Sequence, residues 1–321
     1  MKQATAILTA DDAGIAAACA LLAQGHPVAI PTETVYGLAA DATDGRAVAR
    51  IYAAKGRPAF NPLIAHVADI KAARRIARLG PQAEALAHAF WPGPLTMVLP
   101  LRADAGIASI TTAGLPTIGL RVPAHPTARA LLRAFGKPLA APSANPSGRV
   151  SATAAGHVAD PARGLGGRIP AVLDAGPCAV GVESTIIGWT AQGDPVLLRP
   201  GGIPVEAIEA LLDRPLLRAG ANPDAPTSPG QLASHYAPDA PLRLNVTDPA
   251  PDEVHIGFGP DSGGALNLSP AGDLTEAASH LFDLLIRADM TGRPISVAPI
   301  PEQGLGAAIN DRLRRAAAPR P

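Results

Sequence analysis

The sequence predicts an α/β protein of two units, and three observations carry that prediction. Short apolar runs that read as strands alternate with helical patterns over roughly the first two hundred residues. A stretch rich in proline, asparagine and aspartate then breaks all periodicity. A second, shorter alternation of strands and helices follows it. The length of 321 residues agrees, since a domain takes roughly 100–200 residues.

Taken in order, Asp11 or Asp12 can N-cap a helix whose apolar positions Ile15, Ala18, Cys19 and Leu22 recur at helical spacing, and Gly25 stops it. Val28-Ala29-Ile30 reads as a buried strand entering a turn at Pro31. Residues 47–54 are helical, with Val48, Ile51 and Tyr52 on one face. A strand over 63–67 precedes helix over 70–89, broken near Gly80-Pro81 because proline removes a backbone donor. Strand-like runs follow at 95–99, 117–122 and 138–141, with a helix over 127–135 between the last two. Residues 171–173, 184–187 and 196–198 are further strands, and a helix over 205–212 closes the first unit. The stretch 222–230 reads as linker. Strands near 242–245, 254–258, 265–268 and 295–298, with helices over 274–288 and 305–316, make the second unit.

Composition narrows the function. Lys plus Arg and Asp plus Glu each number 27, so the chain has no global basic field for gripping nucleic acid, although a local basic pocket remains open. Aromatic residues are only 3%, which leaves few platforms for stacking bases. Cys19 and Cys178 match no zinc spacing and are expected to be buried thiols of a cytoplasmic chain. The most apolar early stretch, 14–23, is about half the ~20 residues that span a bilayer, so no membrane association is expected.

The common nucleotide and hydrolase templates fail. Gly136-Lys137 runs into Pro138 rather than opening a phosphate-binding helix, and no dinucleotide fingerprint, zinc-protease motif or nucleophile elbow occurs. What stands out is a set of polar segments at strand ends, where α/β proteins place ligands. They are Pro31-Thr32-Glu33-Thr34-Val35-Tyr36-Gly37-Leu38, Lys55-Gly56-Arg57-Pro58, Asn61-Pro62 leading to His66, Pro142-Ser143-Ala144-Asn145-Pro146 and Gly181-Val182-Glu183-Ser184-Thr185. Cations, hydroxyls and amides in one place suit phosphate. Singly, each has a plainer reading. Lys55 and Arg57 complement a helix dipole, Ser143–Pro146 is an ordinary turn, His66 is a core histidine, and Arg121 forms a surface ion pair. Together they argue for a site.

These segments, with Trp91-Pro92-Gly93-Pro94-Leu95-Thr96, Arg121-Val122-Pro123 and Leu197-Leu198-Arg199-Pro200-Gly201, resemble the YrdC-type L-threonylcarbamoyladenylate synthases in order and spacing. Ser228-Pro229-Gly230 and His235-Tyr236-Ala237-Pro238 resemble the linker of the long, two-domain form, and 304–313 resembles its C-terminal end. The resemblance implies a twisted mixed α/β sheet over 1–212, a linker or lid over 213–240, and a smaller Rossmann-like domain over 241–321. It implies synthesis of threonylcarbamoyl-AMP and pyrophosphate from L-threonine, bicarbonate and ATP with Mg²⁺. A downstream transferase complex then modifies tRNA next to the anticodon.

By the same resemblance Lys55 and Arg57 are catalytic, and Lys55, Arg57, Asn61, Thr117, Ser143, Ser151 and Arg199 contact ATP. Asn145, His235 and Tyr236 lie near the nucleotide. Thr34, His66, Arg121, Ala141 and Ser184 surround L-threonine, with Arg121 forking its carboxylate. Glu183 stays open between helping to hold Mg²⁺ and orienting its neighbours. One departure, Asn310-Asp311-Arg312 where the family has Asn-Arg, is expected to lie far from the site. His235-Tyr236 is expected to fold over the nucleotide as a lid. An RNA-binding module and a related carbamoyl-transfer enzyme are the competing readings.

Overall fold

The computed structural model describes residues 4–58, 60–218, 235–260, 262 and 265–319. The linker stretch Asn222–Gly230, with its Ser228-Pro229-Gly230 motif, lies outside the described residues. The larger unit contains β1 (Ala6–Thr9), α1 (Asp12–Ala23), β2 (Val28–Ile30), β3 (Gly37–Asp41), α2 (Gly45–Lys55), β4 (Ile64–His66), α3 (Ile70–Ile76), α4 (Pro81–Phe90), β5 (Leu95–Pro100), β6 (Thr117–Arg121) and α5 (Pro126–Phe135). It continues with β7 (Leu139–Ala140), α6 (Ala155–Ala159), β8 (Ala171–Asp174), β9 (Thr185–Trp189), β10 (Pro195–Arg199), α7 (Val205–Leu212) and β11 (Leu217–Arg218). Among the described residues these strands form one mixed sheet in the order β1-β8-β2-β3-β7-β4-β6-β5-β9-β10-β11. The smaller unit holds β12 (Leu242–Arg243), β13 (Val254–Gly257), β14 (Leu266–Asn267), α8 (Leu274–Asp289), β15 (Ile295–Val297) and α9 (Leu305–Ala317). Its sheet, β12-β15-β13-β14, is parallel throughout, the arrangement expected of strands joined through helices.

Local chemistry sets the helix ends. Asp11 caps α1 by accepting from Gly14 N, and Asp44 caps α2 by accepting from Arg46 N. Helix α2 ends at Gly56 in the left-handed region, φ 61°, which turns the chain so that Arg57 leaves the helix axis. The break near Gly80-Pro81 separates α3 from α4, with Pro81 in the first turn of α4. Sequence reading did not foresee β1, β3, α6 or β11. Strand β3, Gly-Leu-Ala-Ala-Asp, has no β-branched residue, and its antiparallel pairing with β2 makes it a strand. Strand β11 pairs with β10, so the larger sheet runs on to Arg218. Cys178 is buried as expected, whereas Cys19 is only partly buried, because it lies at the edge of the face that α1 packs on the sheet.

Ile51, Leu63, Leu86 and Met97 lie in the larger core. The second core gathers Phe282, Leu285 and Ile309 of the smaller unit, and it also takes in Val35, Val182 and Tyr236. The units therefore share an apolar seam beside the polar loops. At Gly181, φ 75°, they approach closely: a Cβ there would stand 2.3 Å from Ala278 O of α8.

Candidate functional site

The polar segments converge at one end of the central strands. Parallel strands β4 and β6 set His66 beside Arg121 in register. The loop after β2 folds on itself, with Thr32 Oγ1 donating to Val35 O at 2.6 Å and accepting from Thr34 N at 3.2 Å. That turn presents Glu33 and Thr34 to Arg121, whose Nη2 donates to Glu33 Oε1 at 2.6 Å and Nη1 to Thr34 Oγ1 at 2.8 Å. Lys55, at the end of α2, donates Nζ to the carbonyls of Ser143 and Asn145 at 2.6 and 2.5 Å, which ties the loop after β7 to the helix. Arg57 donates Nε to Asn61 O at 3.3 Å and Nη2 to Pro62 O at 3.1 Å. Arg199, closing β10, donates Nε and Nη2 to Ser184 O at 3.2 and 3.0 Å.

Of the residues expected in the site, Thr34, Arg57, His66, Arg121, Ala141, Ser143, Ser184, Arg199, His235 and Tyr236 line one cavity of about 50 Å³. Lys55 and Asn61 stand behind it as the partners just described. Ser151 donates to Glu183 Oε1 at 2.6 Å, and Glu183 itself lines the cavity. Asn145 faces a neighbouring cleft of about 420 Å³ between the units. Thr117 is not brought in. It sits at the opposite end of β6 from Arg121, four residues or about 13 Å of strand away, and lines a separate cleft with Arg78 and Trp189.

Two parts of the sequence reading need correction or completion. Arg312 does not lie far from the site. Its Nε donates to Glu183 Oε2 at 2.8 Å and its Nη1 to Pro200 O at 2.8 Å, and it is fully buried. Helix α9 carries it across the seam, a placement that sequence distance hides. Sequence reading also left Glu33 without a role, although it is the buried partner of Arg121.

Burial dominates the electrostatics. It holds Lys55 well below the usual lysine range, with the Arg57 charge adding to the effect, and brings Arg57 down to about 10. Burial also pulls His66 and His235 down to about 3, so both imidazoles are neutral near pH 7. Burial opposes ionisation of Glu183, but the charges of Arg312 and Arg199 overcome it and hold the carboxyl at about 2. Glu33 is lowered in the same way, against burial, by Arg121.

Glu33 Oε2, Asn61 Oδ1, His66 Nδ1, Asn145 Oδ1, His235 Nδ1 and Arg312 Nη2 are buried without a hydrogen-bond partner among the described residues. Buried polar atoms are almost always paired, so their gathering here marks groups built to be completed by a ligand. Guanidinium groups, hydroxyls and neutral imidazoles around one cavity suit an anionic ligand beside an amino acid. Among the described residues no three His, Cys, Asp or Glu side chains converge as a metal-holding group, and no helix is long and apolar enough to cross a membrane.

Two family models match consecutive parts of the chain. One, described as telomere recombination, covers residues 20–201, and the other, described as the threonylcarbamoyl-AMP synthase C-terminal domain, covers 203–318. A threonylcarbamoyl-AMP synthase of Bacillus subtilis is 41% identical over 334 aligned residues, covering 97% of this chain and 94% of its own. One of Pyrococcus abyssi is 41% identical over 322, covering 93% and 92%. Among solved structures, P. abyssi Sua5 complexed with L-threonine superposes with a TM-score of 0.88 at 39% identity over 98% of both chains. Escherichia coli YciO, at 20% identity and a TM-score of 0.52 over 62% of this chain and 96% of its own, shares the fold.

Proposed function

The chain belongs to the two-domain threonylcarbamoyl-AMP synthase family, and from that premise we propose that it makes L-threonylcarbamoyladenylate and pyrophosphate from L-threonine, bicarbonate and ATP. The carrying observation is that Arg57, Arg199, Ser143, Arg121, Thr34, His66 and Ser184 all line one cavity. We assign Arg57, Arg199 and the Ser143 loop to the phosphates and Arg121, Thr34, His66 and Ser184 to the amino acid, a division of roles that meets where Arg199 donates to Ser184 O.

The chemistry follows from that division. The threonine amine takes up CO₂ from bicarbonate as a carbamate, its proton and the bicarbonate hydroxyl leaving as water, and a carbamate oxygen attacks the α-phosphorus of ATP. The bond to the β-phosphate oxygen breaks and pyrophosphate leaves, so the reaction is a nucleotidyl transfer. Charge grows on the departing pyrophosphate, and Arg57 and Arg199 are the cations placed to offset it. Lys55, behind the cavity wall, gives its donors to two carbonyls and so positions the Ser143–Asn145 loop that faces the phosphates. The neutral His66 imidazole can present an acceptor to the threonine hydroxyl or amine without repelling the ammonium form.

Glu183 has both oxygens engaged, by Ser151 and Arg312. Mg²⁺ is therefore assigned to the phosphates of ATP, as part of the substrate, with no protein cage of its own. At about 50 Å³ the cavity is far below the ~300–1,000 Å³ of ordinary ligand sites. We read this small volume as a closed arrangement, from which His235-Tyr236 swing away for substrates to enter. Closure excludes the water that would hydrolyse a carbamate or its adenylate. A cytoplasmic setting, and hand-over of the product to a tRNA-modifying transferase, follow from the same reading.

The test is pyrophosphate release by the purified protein with MgATP. Release is expected only when L-threonine and bicarbonate are both present. Release that ignores threonine, or none under any condition, overturns the reading.

A further inference from the structure

Helix α9 turns Ile309 and Leu313 into the core of the smaller unit and sends Arg312 the other way, behind Glu183 and Tyr236 of the cavity wall. There the guanidinium meets four groups. Nε donates to Glu183 Oε2 at 2.8 Å, and Nη1 donates to Pro200 O and to Asp311 Oδ2, each at 2.8 Å. Its central carbon stands 5.4 Å from the centre of the Tyr236 ring, within cation–π range.

Each of those contacts leads to a cavity residue. Glu183 precedes Ser184, whose carbonyl accepts from Arg199, and Pro200 follows Arg199. Arg312 therefore fixes the chain on both sides of the Ser184–Arg199 pair. Tyr236 has a φ of 63°, unfavourable for a side chain of its size, and such a residue persists only where its surroundings hold it. Arg312 lies against its ring, Phe282 stacks on it at 5.5 Å, and the preceding His235 N donates to Arg315 O at 3.1 Å. Asp311 adds a carboxylate between Arg312 and Arg315.

We propose that Arg312 is a positioning residue through which the C-terminal unit keeps the reacting cavity shut, acting through Glu183 and Tyr236 rather than on the substrates. A plain tie between the units would not need it to touch the lid. Such a tie exists elsewhere on the seam, where His157 Nε2 meets Asp283 Oδ1 at 3.2 Å, away from the cavity. The proposal rests on the threonylcarbamoyl-AMP synthase reading. Its consequence is that loss of Arg312 lets water hydrolyse the adenylate to AMP, threonine and CO₂ after ATP has been cleaved and pyrophosphate released.

The experiment uses the full chain and measures pyrophosphate, threonylcarbamoyl-AMP, both KM values and Tm for wild type, Arg312→Met, Arg312→Lys and Asp283→Asn. In wild type the two products appear in equal amounts; if wild type makes no threonylcarbamoyl-AMP, the functional reading itself fails. In Arg312→Met the yield of threonylcarbamoyl-AMP is expected to fall about ten- to a hundredfold, the equivalent of one lost charge-assisted hydrogen bond. Pyrophosphate then exceeds it, and the KM values stay within about threefold. Arg312→Lys keeps the charge but cannot fork between Glu183 and Pro200, so it uncouples the products at near wild-type Tm. It decides the matter if the methionine variant does not fold. Asp283→Asn keeps the products equal. Equal products at the wild-type rate in Arg312→Lys, or the same uncoupling in Asp283→Asn, would overturn the proposal.

Discussion

The two units treat their buried polar groups in opposite ways. In the smaller unit Ser269 donates to Glu276 at 2.5 Å, Ser296 pairs with His255 at 3.0 Å, and Asn310 donates to Ile300 O at 2.9 Å. In the larger unit Glu33, Asn61, His66 and Asn145 at the site each keep a buried atom without a partner among the described residues, and Arg129 on α5 does so outside it. His235 of the linker does so too, as does Arg312, the residue that the smaller unit sends across the seam. Satisfied groups stabilise one arrangement and ask nothing more. Unsatisfied ones cost stability until something fills them, and they are kept where a ligand does so. The contrast separates a scaffold from a site without reference to any relative.

The largest expected effect breaks the site side of that contrast at Arg121. Removing one partner of a buried ion pair costs about 3–5 kcal/mol, because the other charge is left uncompensated. Arg121→Met should therefore lower stability by that order and strip Glu33 of its cation. The double variant Glu33→Gln/Arg121→Met should recover much of the stability in urea unfolding, yet leave the threonine KM high. A double variant with a normal threonine KM would show the pair to be scaffold. Arg57→Ala comes next. It should cost about 1.5–3 kcal/mol in kcat/KM for ATP, one charge-assisted contact, and leave the threonine KM less affected. Identical defects in the Arg57 and Arg121 variants would dissolve the two halves of the cavity.

Much of this arrangement was legible in the sequence, for a physical reason. The loops after β2, α2 and β7 need particular side chains at fixed spacing, so Thr34, Lys55, Arg57 and Ser143 stand in recognisable strings, and ten expected residues do line the cavity. Helices were legible from their caps, such as Asp11 and the Gly56 stop. Strand β3 was not, because its small residues have no strand character until β2 pairs with them. Nor was Arg312, whose part depends on how α9 docks against residues over a hundred positions earlier. Thr117 shows the converse limit, since the resemblance implies an ATP contact while the residue lines another cleft.

A smaller effect sharpens the scaffold side. Ser269 is fully buried, donates to Glu276 and accepts from Asp273 N at 2.9 Å. Ser269→Ala leaves that donor and that carboxylate to find other partners, which should cost about 1–3 kcal/mol. Thermal unfolding should register it while pyrophosphate release at saturating substrate does not change. A fall in turnover with no loss of Tm would mean that the smaller unit's interior reports directly to the cavity.

The mildest test is the response to acid, and it reads the site histidines. His66, beside Arg121 and Glu33, and His235, beside Glu183, Arg57, Lys55 and Arg199, both have pKa values brought from 6.5 to about 3 by burial. Between those values the unfolded chain binds protons that the folded chain refuses, so stability declines as the pH falls from 6.5 towards 3. Glu183 adds a second decline. Its folded value of about 2 lies below the ordinary 4.5, so its contribution is complete above 4.5 and lost as the pH falls from 4.5 to 2. His66→Asn should flatten the first part of the curve, from pH 6.5 to 5, where Glu183 contributes no slope. Glu183→Gln should leave that part unchanged. An unaltered slope in His66→Asn would mean that its imidazole reaches water in the folded protein, and that the closed cavity is not its resting state in solution.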